Sequence, residues 1–214
     1  MQKFFPNIIT ISRLVLAITI LILIGRTDRH NVSSSYLDTI FGLFLLAMTS
    51  DWLDGYLARK FHAKSQLGRM LDPFVDKVLI CGMFVLLCGA DWSEKAFLFS
   101  GDRNGIGLAP WMTLIIILRE LLVSLLRGFG EAAGLDYSAK WIGKIKLLIQ
   151  TTTLAIILFV FSHLRNTTWC LHFRDACILI TMILTVYSSV AYLRMTFGAM
   201  ISSNSSKKNP PPES

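Results

Sequence analysis

The chain has 214 residues, 53% of them hydrophobic and only 16% charged, which is too apolar for an ordinary soluble domain of this length. The formal net charge is +7, but the basic residues are scattered in short loops between apolar runs and form no stripe, so no nucleic-acid partner is expected. Four cysteines without a C-x2-C pair or zinc-type His spacing argue against a zinc site, which leaves anionic membrane lipids and phosphorylated small molecules as partners.

Taken in order, six apolar runs lie near residues 7–25, 37–58, 69–90, 109–128, 141–162 and 174–197, each long enough to cross about 30 Å of hydrocarbon. Neither β-barrel alternation nor an internal repeat is present, so the expected fold is all-α: a polytopic membrane protein built as a six-transmembrane-helix bundle. Residues 1–200 read as one membrane domain, and the polar, proline-rich stretch 201–214 as a disordered tail. Lys3 ahead of the first run imitates a signal peptide, but Arg13 interrupts the run and no convincing cleavage site follows, so the first helix is read as retained. An even number of crossings puts both termini on one side. The loops on that side hold the larger share of Lys and Arg, which orients them to the cytoplasm.

Pro6-Asn7 opens the first helix, with Asn7, Thr10 and Arg13 following at i, i+3 and i+6. This polar edge ends in an arginine that either snorkels to the interface or meets an anionic ligand. The second and third runs carry the most specific pattern, D-x2-D-G-x2-A-R followed after eight residues by G-x3-D-x3-D. Asp51, Asp54 and Ala58 fall on one helical face, and Gly68, Asp72 and Asp76 repeat the arrangement on the next helix, beyond a basic and polar turn read over Arg59 to Gln66. Carboxylates brought into one gap repel one another unless cations lie among them, and oxygen-only ligands suit a hard ion such as Mg2+ or Mn2+. The plainer reading, solvated aspartates at two helix ends, is set against the small residues Gly55, Ala58 and Gly68, which leave room for a bulky ligand beside the acidic faces.

Gly82, Gly89 and Ala90 on the third run offer a small-residue surface for pairing with a second copy. Arg119 and Arg127 share a face of the fourth helix, with Glu120 beside the first. On the fifth, Lys146 and Gln150 share a face while Lys144 points elsewhere, so only one of the two lysines can aim squarely at a given target. An Arg/Lys cluster facing an aspartate centre suits a phosphate-bearing acceptor, although each lysine alone is also explained by snorkelling. His30, His62, His163 and His172 have no partners at ligand spacing and are read as solvated or interfacial. Trp92, Trp111, Trp141 and Trp169 fall at predicted helix ends as an aromatic belt.

The aspartate pattern resembles the signature of the CDP-alcohol phosphatidyltransferase family, with every fixed position filled. Within the family the chain is most similar to bacterial members, on Asp72-Pro73-Phe74-Val75-Asp76-Lys77, on Leu118-Arg119-Glu120 with Ser124 and Arg127, and on Trp141 to Lys146. Leu147 and Leu148 depart from the Thr-Thr often found there. The resemblance implies that Asp51, Asp54, Asp72 and Asp76 hold two divalent ions, Mg2+ or Mn2+. It also implies that Asp54, Gly55, Ala58, Arg59 and Gly68 form the cytidine nucleotide pocket and that Asp76 is the general base. Transfer of a phosphatidyl group from CDP-diacylglycerol to sn-glycerol 3-phosphate in a bacterial inner membrane is the activity it implies, with Arg119, Arg127, Lys144 and Lys146 holding the acceptor phosphate.

Phosphatidylglycerol, inositol phosphate or serine as acceptor would use the same signature. A membrane ion transporter is the alternative of another class, disfavoured by the lack of inverted repeats and broken helices. A prenyl-diphosphate enzyme would need an Asp-Asp pair, and none occurs.

Overall fold

A computed structural model of the chain describes residues 5–27, 33–61, 66–89, 105–132, 140–164 and 166–208, with side chains described at 11–27, 33–50, 73–89, 105–128, 130, 143, 145–164 and 166–198. Among these residues all regular structure is helical: α1 (Phe5–Gly25), α2 (Ser34–Phe61), α3 (Gln66–Leu87), α4 (Pro110–Ala132), α5 (Lys140–Phe159, continued by a π-helical turn Val160–Leu164) and α6 (Thr168–Lys208). Each helix covers most of one of the apolar runs.

The helix starts follow local chemistry. Pro110 sits at the first position of α4, where its missing N–H costs nothing, and the Ala109 carbonyl accepts from Met112 and Thr113. Thr167 does the same for α6, its carbonyl accepting from Cys170 and Leu171. At the other end of α1 the Leu23 carbonyl accepts from the Thr27 hydroxyl at 2.6 Å and the Tyr36 hydroxyl at 3.1 Å, which ties the end of α1 to α2.

Helix α1 packs between α2 and α3, α4 and α5 both pack on α6, and α3 also meets α4 and α5. Ala17, Ile20 and Ile24 of α1 lie in one core with Ile40 and Phe44 of α2 and with Leu79, Met83 and Phe84 of α3. Gly82 lets α1 approach closely, since a Cβ there would come within 2.8 Å of the Leu21 δ-carbons. Gly82 therefore serves packing inside the chain and not the pairing of copies expected of it. Ala90 lies outside the described residues.

The opposite faces are apolar too. Leu114, Leu118, Leu121 and Leu125 form a stripe along α4, each more than half exposed, and Ile11, Val15, Ile18 and Ile22 form another, also exposed, along α1. A helix that is apolar all round in so small a bundle belongs in lipid. Ile145–Leu164 and Thr168–Gly198, with mean hydropathies of 1.9 and 2.0, are long and apolar enough to cross a membrane among the described residues. Helix α4 carries Arg119, Glu120 and Arg127 within its apolar run, which lowers its own hydropathy.

Three expectations are corrected. Helix α6 continues to Lys208, so the first eight residues of the stretch read as a disordered tail are helical; no proline interrupts until Pro210, and Lys207 and Lys208 suit a helix C-terminus. Helix α2 extends to Phe61, so Arg59 is helical instead of opening the turn. His163 is exposed as expected but does have a partner: it lies in the π turn, stacked on Phe159, with its Nε2 3.6 Å from Asp38 Oδ2, while Ser162 donates to Asp38 Oδ1 at 2.7 Å.

At the same end of the bundle, residues 105–109 are buried ahead of α4. Arg174 donates to the Gly105 carbonyl at 2.7 Å and pairs with Asp175 at 2.7 Å. Gly107 turns there with φ of 80°, and a Cβ on it would meet Asp175 Oδ1 at 2.6 Å, so the turn demands glycine twice over.

Candidate active site

The chemistry gathers at the other end, where α3, α4 and α5 enclose a cavity of about 630 Å3. Helix α3 supplies Asp76, Lys77 and Cys81, α4 supplies Arg119, Glu120, Ser124 and Arg127, and α5 supplies Gly143, Lys146 and Gln150. The spacings follow from the helical period: Arg119, Val123 and Arg127 recur every four residues along α4, and Lys146 and Gln150 are one turn apart.

Asp76, half-buried in the wall, accepts a 2.7 Å hydrogen bond from Nη2 of buried Arg13, across 63 residues of sequence. The polar edge of α1 therefore reaches the acidic centre and does not snorkel away. Asn7 and Thr10 are on the same helix, and their side chains lie outside the described residues.

Glu120 organises the basic wall. Its Oε1 accepts from Arg119 Nη1 at 3.4 Å and pairs with Lys146 Nζ. Arg119 is also held from behind by α6, where Nε donates to Ser188 Oγ at 3.0 Å and the guanidinium carbon lies 5.8 Å from the Tyr192 ring centroid. Arg127 Nη2 donates to the Tyr192 hydroxyl at 3.3 Å. Lys77 Nζ donates to Ser124 Oγ at 2.6 Å, and the Ser124 hydroxyl in turn donates to the Glu120 backbone carbonyl at 2.6 Å. Arg119 Nη2 and Gln150 Nε2 are buried and have no hydrogen-bond partner among the described residues.

Of the expected residues, Asp76, Arg119, Arg127 and Lys146 come together around this cavity, with Arg13 behind Asp76. Asp51, Asp54, Gly55, Ala58 and Arg59 are helical on α2, Gly68 and Asp72 on α3, and Lys144 on α5, while their side chains lie outside the described residues. The backbone keeps Asp51 and Asp54 about one turn apart, and likewise Asp72 and Asp76. An all-carboxylate donor set of this kind fits a hard divalent cation. Ser188 and Tyr192 were not foreseen. The signal for them is a polar stripe in an otherwise apolar helix: Thr181, Thr185, Ser188, Tyr192 and Thr196 recur at three and four residues and are all buried.

An all-helical bundle with an apolar exterior and an acidic and basic cavity at one end is the build of a membrane enzyme that handles phosphate esters. The chain belongs to the CDP-alcohol phosphatidyltransferase family, whose pattern matches residues 3–196. Relatives include the CDP-diacylglycerol–glycerol-3-phosphate 3-phosphatidyltransferase of Bacillus subtilis, 29% identical over 93% of this chain and 98% of the relative. The enzymes of the same name from Haemophilus influenzae and Mycoplasma pneumoniae are 30% and 31% identical, covering 79% and 75% of this chain and 82% and 70% of theirs.

Proposed function

We propose that the protein transfers the phosphatidyl group of CDP-diacylglycerol to sn-glycerol 3-phosphate, giving phosphatidylglycerophosphate and CMP. The observation that carries the acceptor half is the charge of the cavity wall. Lys77, Arg119, Arg127 and Lys146 face only Asp76 and Glu120 among the described lining residues, and Arg119 keeps a buried donor with no partner among them. Lining cations in excess of their carboxylates, with Arg119 and Lys146 buried among them, favour an anionic occupant, and a guanidinium with a lysine beside it suits a small phosphomonoester. A lipid acceptor such as phosphatidylglycerol has less use for so many cations.

In this reading Arg119, Lys146 and Arg127, with Lys144, hold the acceptor phosphate, so that the 1-hydroxyl points toward Asp76. Asp54, Gly55, Ala58, Arg59 and Gly68 hold the cytidine nucleotide, with Asn7, Thr10 and Arg13 along the edge of α1. The hydroxyl oxygen attacks the phosphorus that bears diacylglycerol, the bond from that phosphorus to the CMP oxygen breaks, and the hydroxyl proton passes to Asp76. Arg13 fixes the Asp76 carboxylate for that role. Asp51, Asp54, Asp72 and Asp76 would hold two Mg2+ or Mn2+ ions, whose charge offsets that of the pyrophosphate.

We read all six helices as spans of a bacterial inner membrane with the cavity toward the cytoplasm, where both substrates' charged groups are found. At 41 residues α6 is about 60 Å long, twice the hydrocarbon thickness, so its end projects beyond the membrane on that side.

The test is CMP release by the detergent-solubilised protein with CDP-diacylglycerol and Mg2+. Glycerol 3-phosphate, phosphatidylglycerol, inositol phosphate and serine are offered separately, with Asp76→Asn as the blank. Turnover confined to glycerol 3-phosphate is expected. Turnover with another acceptor alone would overturn the acceptor assignment, and no CMP from any would overturn the enzyme reading.

A further inference from the structure

The cations of the cavity account for a phosphate, but glycerol 3-phosphate carries a further polar group: its C2 hydroxyl, which neither attacks nor is esterified. Among the described residues, three neutral polar side chains line the cavity, Cys81, Ser124 and Gln150. Ser124 is spent, receiving Lys77 and donating to the Glu120 carbonyl. A thiol is a weak hydrogen-bonding group. Gln150 is 1% exposed, sits one turn beyond Lys146 on the same face of α5, and has no partner for its Nε2 among the described residues. The next buried polar group on that face, Thr153, is engaged with the Thr181 hydroxyl at 2.8 Å.

We propose that Gln150 binds the C2 hydroxyl of the acceptor and so makes the site specific for a glycerol backbone. The inference rests on the acceptor reading above. An unmet buried amide donor is destabilising, a cost that an incoming ligand can relieve. A carboxamide both gives and accepts a hydrogen bond, as does an alcohol, whereas a phosphate is better served by Arg119 and Lys146 one turn away. The rival role is structural: Thr185 on α6 also has a buried Oγ1 without a partner among the described residues, and Gln150 would then link α5 to α6.

The experiment compares glycerol 3-phosphate with 3-hydroxypropyl phosphate, which lacks only the C2 hydroxyl, in the full-length solubilised protein and in Gln150→Leu. The unaltered protein is expected to prefer glycerol 3-phosphate by about 10- to 100-fold in kcat/KM. In Gln150→Leu that preference disappears because turnover of glycerol 3-phosphate falls by the same factor, while the deoxy acceptor and the KM for CDP-diacylglycerol change less than about threefold. Gln150→Met, closer in shape, replaces the leucine variant if the latter does not fold.

No discrimination by the unaltered protein overturns the inference and leaves the acceptor reading standing. Equal losses on both acceptors in the variants also overturn it, in favour of the structural role. Failure of the unaltered protein to use glycerol 3-phosphate at all overturns the acceptor reading and this inference with it.

Discussion

Two buried arginines at opposite ends of the bundle are partnered in contrasting ways. Arg174 has every nitrogen engaged: Nε donates to Asp175 at 2.9 Å, Nη2 pairs with the same carboxylate at 2.7 Å, and Nη1 donates to the Gly105 carbonyl at 2.7 Å. Arg119 has one good bond, to Ser188, a long one to Glu120, and an Nη2 with no partner among the described residues. A guanidinium whose donors are all met locally does structural work, here clamping residues 105–109 against α6. One left partly unmet in the wall of a cavity is set to receive something from outside the chain. The same residue type thus marks a fastener at one end and a binding group at the other, and the census of its hydrogen bonds separates the two.

The largest effect that would sharpen this contrast is at Asp76. Asp76→Asn keeps an oxygen for Arg13 but removes the base, so CMP release should fall by about 10^2- to 10^4-fold while the melting temperature stays within a few degrees. Adding EDTA to the unaltered protein should abolish turnover equally, with recovery on Mg2+. Near-normal turnover by the asparagine variant would remove Asp76 from the base role.

At the other end the expectation is inverted. Asp175→Ala leaves Arg174 buried without its carboxylate, which costs about 3–5 kcal/mol and should lower the melting temperature by about 10 °C. The surviving folded protein should keep its KM for both substrates. A variant that melts normally but loses acceptor affinity would join the two ends into one functional unit and break the comparison.

Arg119→Ala should raise the acceptor KM by about 10- to 100-fold, the worth of a charge-assisted hydrogen bond, with the KM for CDP-diacylglycerol unchanged. Its stability should suffer less than that of Asp175→Ala, because removing Arg119 leaves Glu120 paired with Lys146. An unchanged acceptor KM would make Arg119 a packing residue.

What the sequence could disclose divides along the same line. The helix cores were legible because lipid demands long apolar runs, and the faces of α4 and α5 because the helical period sets which side chains align. Spacing within single helices aligns Arg119 with Arg127 and Lys146 with Gln150, whereas a shared site for these residues and Asp76 was implied by the family resemblance. Contacts between distant helices were not legible. Nothing in either segment alone says that Arg13 meets Asp76 or that Arg119 meets Ser188 across 69 residues, since those pairs depend on how the helices pack. The burial of residues 105–109 was hidden for the same reason: their polar partner is Arg174, which the sequence offers only as the charged first residue of the last apolar run.

The smallest effect expected is at Ser188, and it tests how the binding arginine is aimed. Ser188 Oγ accepts from Arg119 Nε and donates to the Thr185 carbonyl, so the hydroxyl fixes the guanidinium relative to α6 without facing the cavity itself. Ser188→Ala removes about 1 kcal/mol of positioning, and the acceptor KM should rise about fivefold with kcat nearly intact. Ser188→Thr, which keeps the oxygen, should restore most of it. Were Ser188 only a packing residue, the alanine and threonine variants would differ in stability and not in acceptor KM. A KM that follows the hydroxyl would show that α6, which contributes no side chain to the cavity lining among the described residues, still tunes the site through the arginine it holds.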